Sequence, residues 1–217
     1  MFADDQVILS STEDELQIAI YKLNEIADNY KLRISEKKTK VMSSQGTNHL
    51  RCKTVINNKI IEQVNNFNYL GFNVSYCQKN DINMKINRFQ SMCGTIRRTL
   101  KNKTLRKTQL KFYKTMAVPM LTYACENWTL NRSDRRKIET AEMKFLRSVA
   151  GYTLFDKKHN EDIRTELKIF NVKDRINDTR TNWLEHIERM PKNRLPQILL
   201  EYQPRGKRRV GRPITRW

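Results

Sequence analysis

An α+β architecture is the expectation for this chain of 217 residues, and three observations carry it. Over the first 78 residues the elements read strand, helix, strand, hairpin, strand. From Asp81 onward the apolar spacing changes from a strand period to a helical one. Charge divides at the same place: residues 1–80 hold 10 basic and 9 acidic side chains, and residues 81–217 hold 32 and 14.

Phe2 to Leu9 reads as a strand or hairpin that carries Asp4 and Asp5 side by side. Side chains alternate across a strand, so the two carboxylates should face opposite ways. Thr12-Glu13-Asp14-Glu15 then matches a capping box, with Thr at the cap and Glu three residues on. Behind it Leu16, Ile20, Leu23, Ala27 and Tyr30 recur at helical spacing. Leu32 and Ile34 alternate in a short extended piece, followed by Glu36-Lys37-Lys38-Thr39-Lys40-Val41-Met42, half basic and half strand-like. Cys52–Ile56 and Lys59–Gln63 flank Asn57-Asn58, a two-residue hairpin turn in which Asn tolerates positive φ. Asn66 to Val74 is aromatic and strand-like, and its Gly71 marks a place where a backbone can approach closely.

The helical part begins with Ile82, Ile86, Phe89, Cys93, Ile96 and Leu100 in one stripe, with Lys85, Arg88, Arg97 and Arg98 read on the opposite face. Thr108 to Tyr123 is a second helical stretch, interrupted at Pro119. Ser133 or Asp134 caps a third, with Ile138, Ala141, Phe145 and Val149 inward. A fourth carries Val172, Ile176, Thr179, Trp183, Ile187 and Met190, and Pro191 and Pro196 then end regular structure. Arg205 to Trp217 holds six basic residues and no acid, too polar to fold alone and therefore an extended arm.

Composition removes several classes of function. No apolar run approaches the roughly 18 residues that span a bilayer, and the N-terminus lacks the basic and apolar regions of a signal peptide. Cys52, Cys77, Cys93 and Cys125 are scattered, without a C-x-x-C pair, so zinc and a disulfide framework are not expected; reduced thiols inside a cell are. His49, His159 and His186 are isolated and read as structural. A net charge of +19 calls for a polyanionic partner, with nucleic acid the strongest candidate. Charge alone does not separate DNA from RNA, or either from an anionic membrane.

Two groups of residues carry candidate chemistry. Asp4 and Asp5 are either a solvated turn pair or hard oxygen ligands for Mg²⁺ together with substrate phosphates. A two-metal site holds its ions about 3.5–4 Å apart and takes acids from more than one segment. Lys37, Lys38 and Lys40 are either protection of an edge strand or lysines beside a pyrophosphate leaving group. Trp128, Trp183 and Trp217 offer faces on which bases stack, against core packing as the ordinary role.

Six segments in order then resemble the reverse transcriptase of non-LTR (LINE-type) retrotransposons. Phe2-Ala3-Asp4-Asp5 is similar to the (Tyr/Phe)-Ala-Asp-Asp box. Leu32 to Met42 is similar to the next motif, whose lysine matches Lys38. Phe67-Asn68-Tyr69-Leu70-Gly71 resembles the primer-grip turn, and Tyr123-Ala124-Cys125-Glu126-Asn127-Trp128 a Tyr-Gly-x-Glu-x-Trp segment with Ala124 in the glycine position. Trp183 to Met190 and Gly211 to Trp217 resemble a Trp–His–Arg–Met helix and a Gly-Arg-Pro ending.

The resemblance implies a partial palm over residues 1–78, a helical thumb and connection over 79–190, and a basic extended tail over 191–217. It implies Asp4 and Asp5 as Mg²⁺ ligands in a two-metal site that is incomplete in this chain. Lys38 faces the departing pyrophosphate, and Tyr69, Leu70 and Gly71 hold the primer end. Phosphate contacts fall to Lys85, Arg88, Arg97, Arg98, Lys101 and Lys103, and to Arg208, Arg209 and Arg212 in the tail. The implied partners are an RNA template and a DNA primer or target, with a deoxynucleotide only where the palm is whole, and no membrane. The family's first catalytic aspartate and its fingers have no match here. The expectation is therefore a truncated RNA-directed DNA polymerase, inactive alone; a non-catalytic nucleic-acid-binding protein is the alternative. Lys207-Arg208-Arg209 and a chromosomal target point to the nucleus, with a cytoplasmic ribonucleoprotein as the alternative and secretion not expected.

Overall fold

A computed structural model describes residues 4–43, 50–75, 79–100, 104–153 and 155–202, with only the backbone of Lys79 included. The chain forms two compact units, Met1–Cys77 and Gln78–Trp217, and the fold is α+β, with two small antiparallel sheets in the first unit and helices through the second.

The first unit is organised by α1, Glu13–Asn29. The Thr12 side chain accepts the Glu15 N–H at 3.2 Å, and the Glu15 carboxylate accepts the Ser11 N–H at 3.2 Å. Three acids in the first turn suit the positive end of the helix dipole. The helix closes as Lys31 turns left-handed, φ 57°, and the Leu32 N–H reaches the Ala27 carbonyl at 2.8 Å. Gln17 then clamps a hairpin to the helix, its amide donating to the Val55 carbonyl at 2.9 Å and accepting the Val55 N–H at 2.8 Å. That hairpin pairs β1, Val55–Ile56, with β2, Lys59–Ile60, across Asn57 and Asn58, both at positive φ as a tight turn requires.

Ile20, Val41, Ile56 and Ile61 are the buried core here, with Ile8, Leu16, Ile34 and Cys52 packed against them. β3, Asn66–Tyr69, and β4, Phe72–Ser75, form a second hairpin. The expected single strand over 66–74 is thus two strands, reversed at Leu70 (φ 49°) and Gly71 (φ 77°). The expected strand over 2–9 is also corrected within the described residues. Asp5 makes a single bridge, residues 6–10 are irregular, and Ile8 alone turns inward while Val7 and Leu9 face solvent.

The second unit opens with α2, Lys79–Leu100, whose Ile82, Ile86, Phe89, Cys93 and Ile96 are buried as their spacing requires. α3, Arg106–Phe112, a π turn over Tyr113–Ala117, and α4, Val118–Thr122, run on as one helical path. Pro119 does not break it. Proline removes an N–H and crowds the carbonyl four residues earlier, and the widened turn just before it relieves both. α5, Arg132–Ala150, starts from a capping box of Asn131 and Asp134, so the cap is Asn131 in place of Ser133 or Asp134, and it ends at left-handed Gly151, φ 86°.

α6, Asn160–Leu167, has no counterpart among the expected elements, because Ile163 and Leu167 are too few to display a period. α7, Val172–Glu188, buries Val172, Ile176 and Ile187. α8, Leu195–Glu201, follows, and Pro196 stands in its first turn, where proline is tolerated, instead of ending regular structure. Tyr113 stacks on Phe145 at 5.0 Å and meets Phe89 edge-on at 6.0 Å. Beside them the fully buried Glu142 accepts hydrogen bonds from Arg164 at 2.7 Å, the Val172 N–H at 3.2 Å and the Tyr113 hydroxyl at 3.4 Å. One carboxylate thus joins α5 to α6, α7 and the π turn. Among the described residues no helix is long and apolar enough to cross a membrane.

Candidate catalytic box and nucleic-acid interface

Asp4 and Asp5 are exposed, at the head of the segment that Ile8 anchors to the first core. Phe2 and Ala3 of the same box lie outside the described residues. Lys38 is exposed in a turn that the Ser35 carbonyl closes, accepting the Lys38 and Thr39 N–H groups at 3.1 and 2.9 Å. Ile34 before that turn and Val41 after it pack in the same cluster as Ile8. One small core therefore anchors both candidate segments, although no hydrogen bond or ion pair joins Lys38 to either aspartate. Lys40, by contrast, is tied to Glu62. Tyr69, Leu70 and Gly71 form the reversal of the second hairpin, with Tyr69 half-buried and Leu70 and Gly71 facing out.

In the second unit Arg88, Arg97 and Arg98 are exposed along α2, free of the core as expected. Lys85 is not. Its side chain is 3% exposed and pairs with Asp81 at 3.0 Å, donates to the Tyr123 carbonyl at 2.6 Å, and lies 5.4 Å from the Trp128 ring centre. Buried and paired in this way, Lys85 does not stand where the expected phosphate contact would need it. The residue stands one helical turn from both Ile82 and Phe89, so its place beside the apolar stripe was readable from spacing.

Trp128, 1% exposed, donates its indole N–H to the same Asp81 carboxylate at 2.7 Å, which removes it as a stacking surface for bases. The Tyr123–Trp128 segment turns at Ala124, φ 55° and ψ 26°, into a short 3₁₀ turn over Cys125–Asn127. A left-handed alanine costs about 1 kcal/mol, so the glycine expected there by resemblance has a conformational reason. Burial pushes the Cys93 thiol up to about 12 and the Cys125 thiol up to about 11, so both stay protonated and inert at neutral pH. Lys101, Lys103, Arg208, Arg209, Arg212 and Trp217 lie outside the described residues.

Residues 1–74 match the family of the reverse transcriptase (RNA-dependent DNA polymerase), and the first unit is reverse-transcriptase-like. Over its whole length the chain is also similar to an uncharacterized transposon-derived protein of Caenorhabditis elegans, with 23% identity over 227 residues that span 100% of this chain and 81% of that protein. No solved structure matches the chain.

The reverse transcriptase family works with divalent metal ions, so the donor set matters. Among the described residues no three His, Cys, Asp or Glu side chains gather where they could hold a metal ion. Asp4 and Asp5 supply hard oxygens of the right kind, but two acids from one exposed segment do not clamp two ions. The residues present do not fit a complete two-metal centre.

Proposed function

We propose that this chain derives from the reverse transcriptase of a non-LTR (LINE-type) retrotransposon and works as a nucleic-acid-binding body without polymerase activity of its own. The observation that carries the reading is the division of charge between the units. The reverse-transcriptase-like first unit holds 9 basic and 9 acidic residues, and the second holds the whole net +19. A polybasic helical body that follows a polymerase-like element in the sequence suits a template–primer backbone, whose condensed counterions are released as Lys and Arg bind. Arg88, Arg97 and Arg98 stand outward on α2 for that purpose. In this reading Asp4 and Asp5 are inherited Mg²⁺ ligands, Lys38 an inherited leaving-group lysine, and Tyr69-Leu70-Gly71 an inherited primer grip.

Primer extension on an RNA template with Mg²⁺ tests the catalytic half. Wild type and Asp4→Ala should both stay at background; Mg²⁺-dependent incorporation by the wild type that Asp4→Ala abolishes would establish an active polymerase. Affinity for an RNA–DNA duplex should fall steeply as salt rises, and a flat salt response would sink the binding half.

A further inference from the structure

A groove of about 410 Å³ opens between α2 and α5. Of its eight lining residues only Ile86 is apolar, and none is acidic or aromatic. α2 contributes the amides of Asn83, Asn87 and Gln90; α5 contributes Ser133, Arg136 and Lys137. Lys137 donates to the side-chain amide oxygen of Asn83 at 3.4 Å, so the starts of the two helices lie together. Among the described residues neither Arg136 nor Lys137 has a carboxylate partner, and both are exposed.

Two further features give the groove a direction. Arg132, Arg135, Arg136 and Lys137 crowd the first two turns of α5, the end at which the helix dipole is already positive. The acid among them, Asp134, is buried in the capping box. Cations there oppose the helix and favour a bound anion. On α2, Gly94 follows Gln90 by four residues and Asn87 by seven, on the same stripe. A methyl group added at Gly94 would meet nothing within 4 Å, and its φ is not in the left-handed region. A mid-helix glycine costs about 1 kcal/mol against alanine, and neither packing nor backbone geometry accounts for this one.

We propose that this groove seats the sugar–phosphate backbone of a nucleic-acid duplex. Arg136 and Lys137 meet phosphates, the α2 amides meet the sugar edge, and the strand passes over the smooth surface at Gly94. The lack of an aromatic lining leaves no platform for unpaired bases, which favours a duplex over a single strand. The proposal rests on the nucleic-acid reading above and narrows it to one surface.

The test measures binding of the full chain to an RNA–DNA hybrid duplex as salt is varied. Each phosphate neutralised adds about 0.9 to the slope of log affinity against log salt, so Arg136→Ala/Lys137→Ala should lower that slope by about 2. Lys22→Ala/Lys31→Ala, a charge-matched pair in the first unit, should leave it unchanged. Gly94→Leu, which favours the helix and keeps the charge, should weaken binding with the slope intact. If the wild type binds and the groove pair keeps its slope, or if the control pair loses as much, the groove is wrong and the nucleic-acid reading stands. Wild-type affinity in Gly94→Leu overturns the path along α2. No binding by the wild type at low salt overturns the groove and the underlying reading together.

Discussion

Lys85 shows how much one side chain can carry when its partners are buried with it. Asp81 accepts from Trp128 and pairs with Lys85, and Lys85 also holds the Tyr123 carbonyl, so α2 and the Tyr123–Trp128 segment meet on two charges. Such a pair adds little net stability, but removing one member leaves the other charge desolvated without its countercharge, at about 3–5 kcal/mol. Lys85→Met should destabilise the second unit by about that much in urea unfolding. A loss under about 1 kcal/mol would mean that the Asp81 charge is relieved some other way. An exposed phosphate contact would behave in the opposite manner, with unchanged stability and weakened binding.

Among the elements, the crossing of α5 with α7 gives a pH signature. A hydrogen bond from Lys173, 2.6 Å from Glu139, holds the Glu139 carboxyl below its ordinary value, aided by the nearby Asn160 and Arg164 and opposed by partial burial. A carboxyl depressed in the folded state adds stability above its unfolded value of 4.5 and loses it as pH falls through the folded one. The lead of wild type over Glu139→Gln in unfolding free energy should therefore be full at neutral pH and shrink below 4.5. A lead that grew on acidification would contradict the assignment.

The same elements show what a sequence can disclose. Regular stripes such as Ile138, Ala141, Phe145 and Val149 are buried together because burial itself imposes the period. Asn57-Asn58 announces its turn because asparagine tolerates the left-handed region. Leu70 does so poorly, which is why the second hairpin reads as one strand. α6 is hidden because its largest commitment is electrostatic, Arg164 to Glu142, and ion pairs leave no periodic trace. Of the candidate site, the residue types and their order were legible, whereas the α2–α5 groove was not. Its lining residues on the two helices lie more than 40 positions apart in sequence, and only tertiary packing brings them together.

For the molecule as a whole, the two units differ in how firmly they are built. Among the described residues the first gathers four buried aliphatic side chains around one helix that leaves Ile18, Tyr21 and Ile26, and the capping Tyr30, in solvent. The second buries an aromatic stack, a charged network and several helical stripes. Opening free energy follows buried contact, so native-state hydrogen exchange should release the amides of α1 and the β1–β2 hairpin well before those of α2 and α5. Equal protection in both units would mean that the first gains stability from contacts outside its own core.

The π turn over Tyr113–Ala117 also bears on how this sequence can change length. A helix advances about 100° per residue, and the widened turn slips the phase between the path before it and the path after it. Gln109 and Tyr113 on one side, and Val118 and Leu121 on the other, reach buried positions across that slip. An insertion or deletion there would be read along the entire helix as a rotation, turning buried side chains toward water while leaving every individual turn well formed.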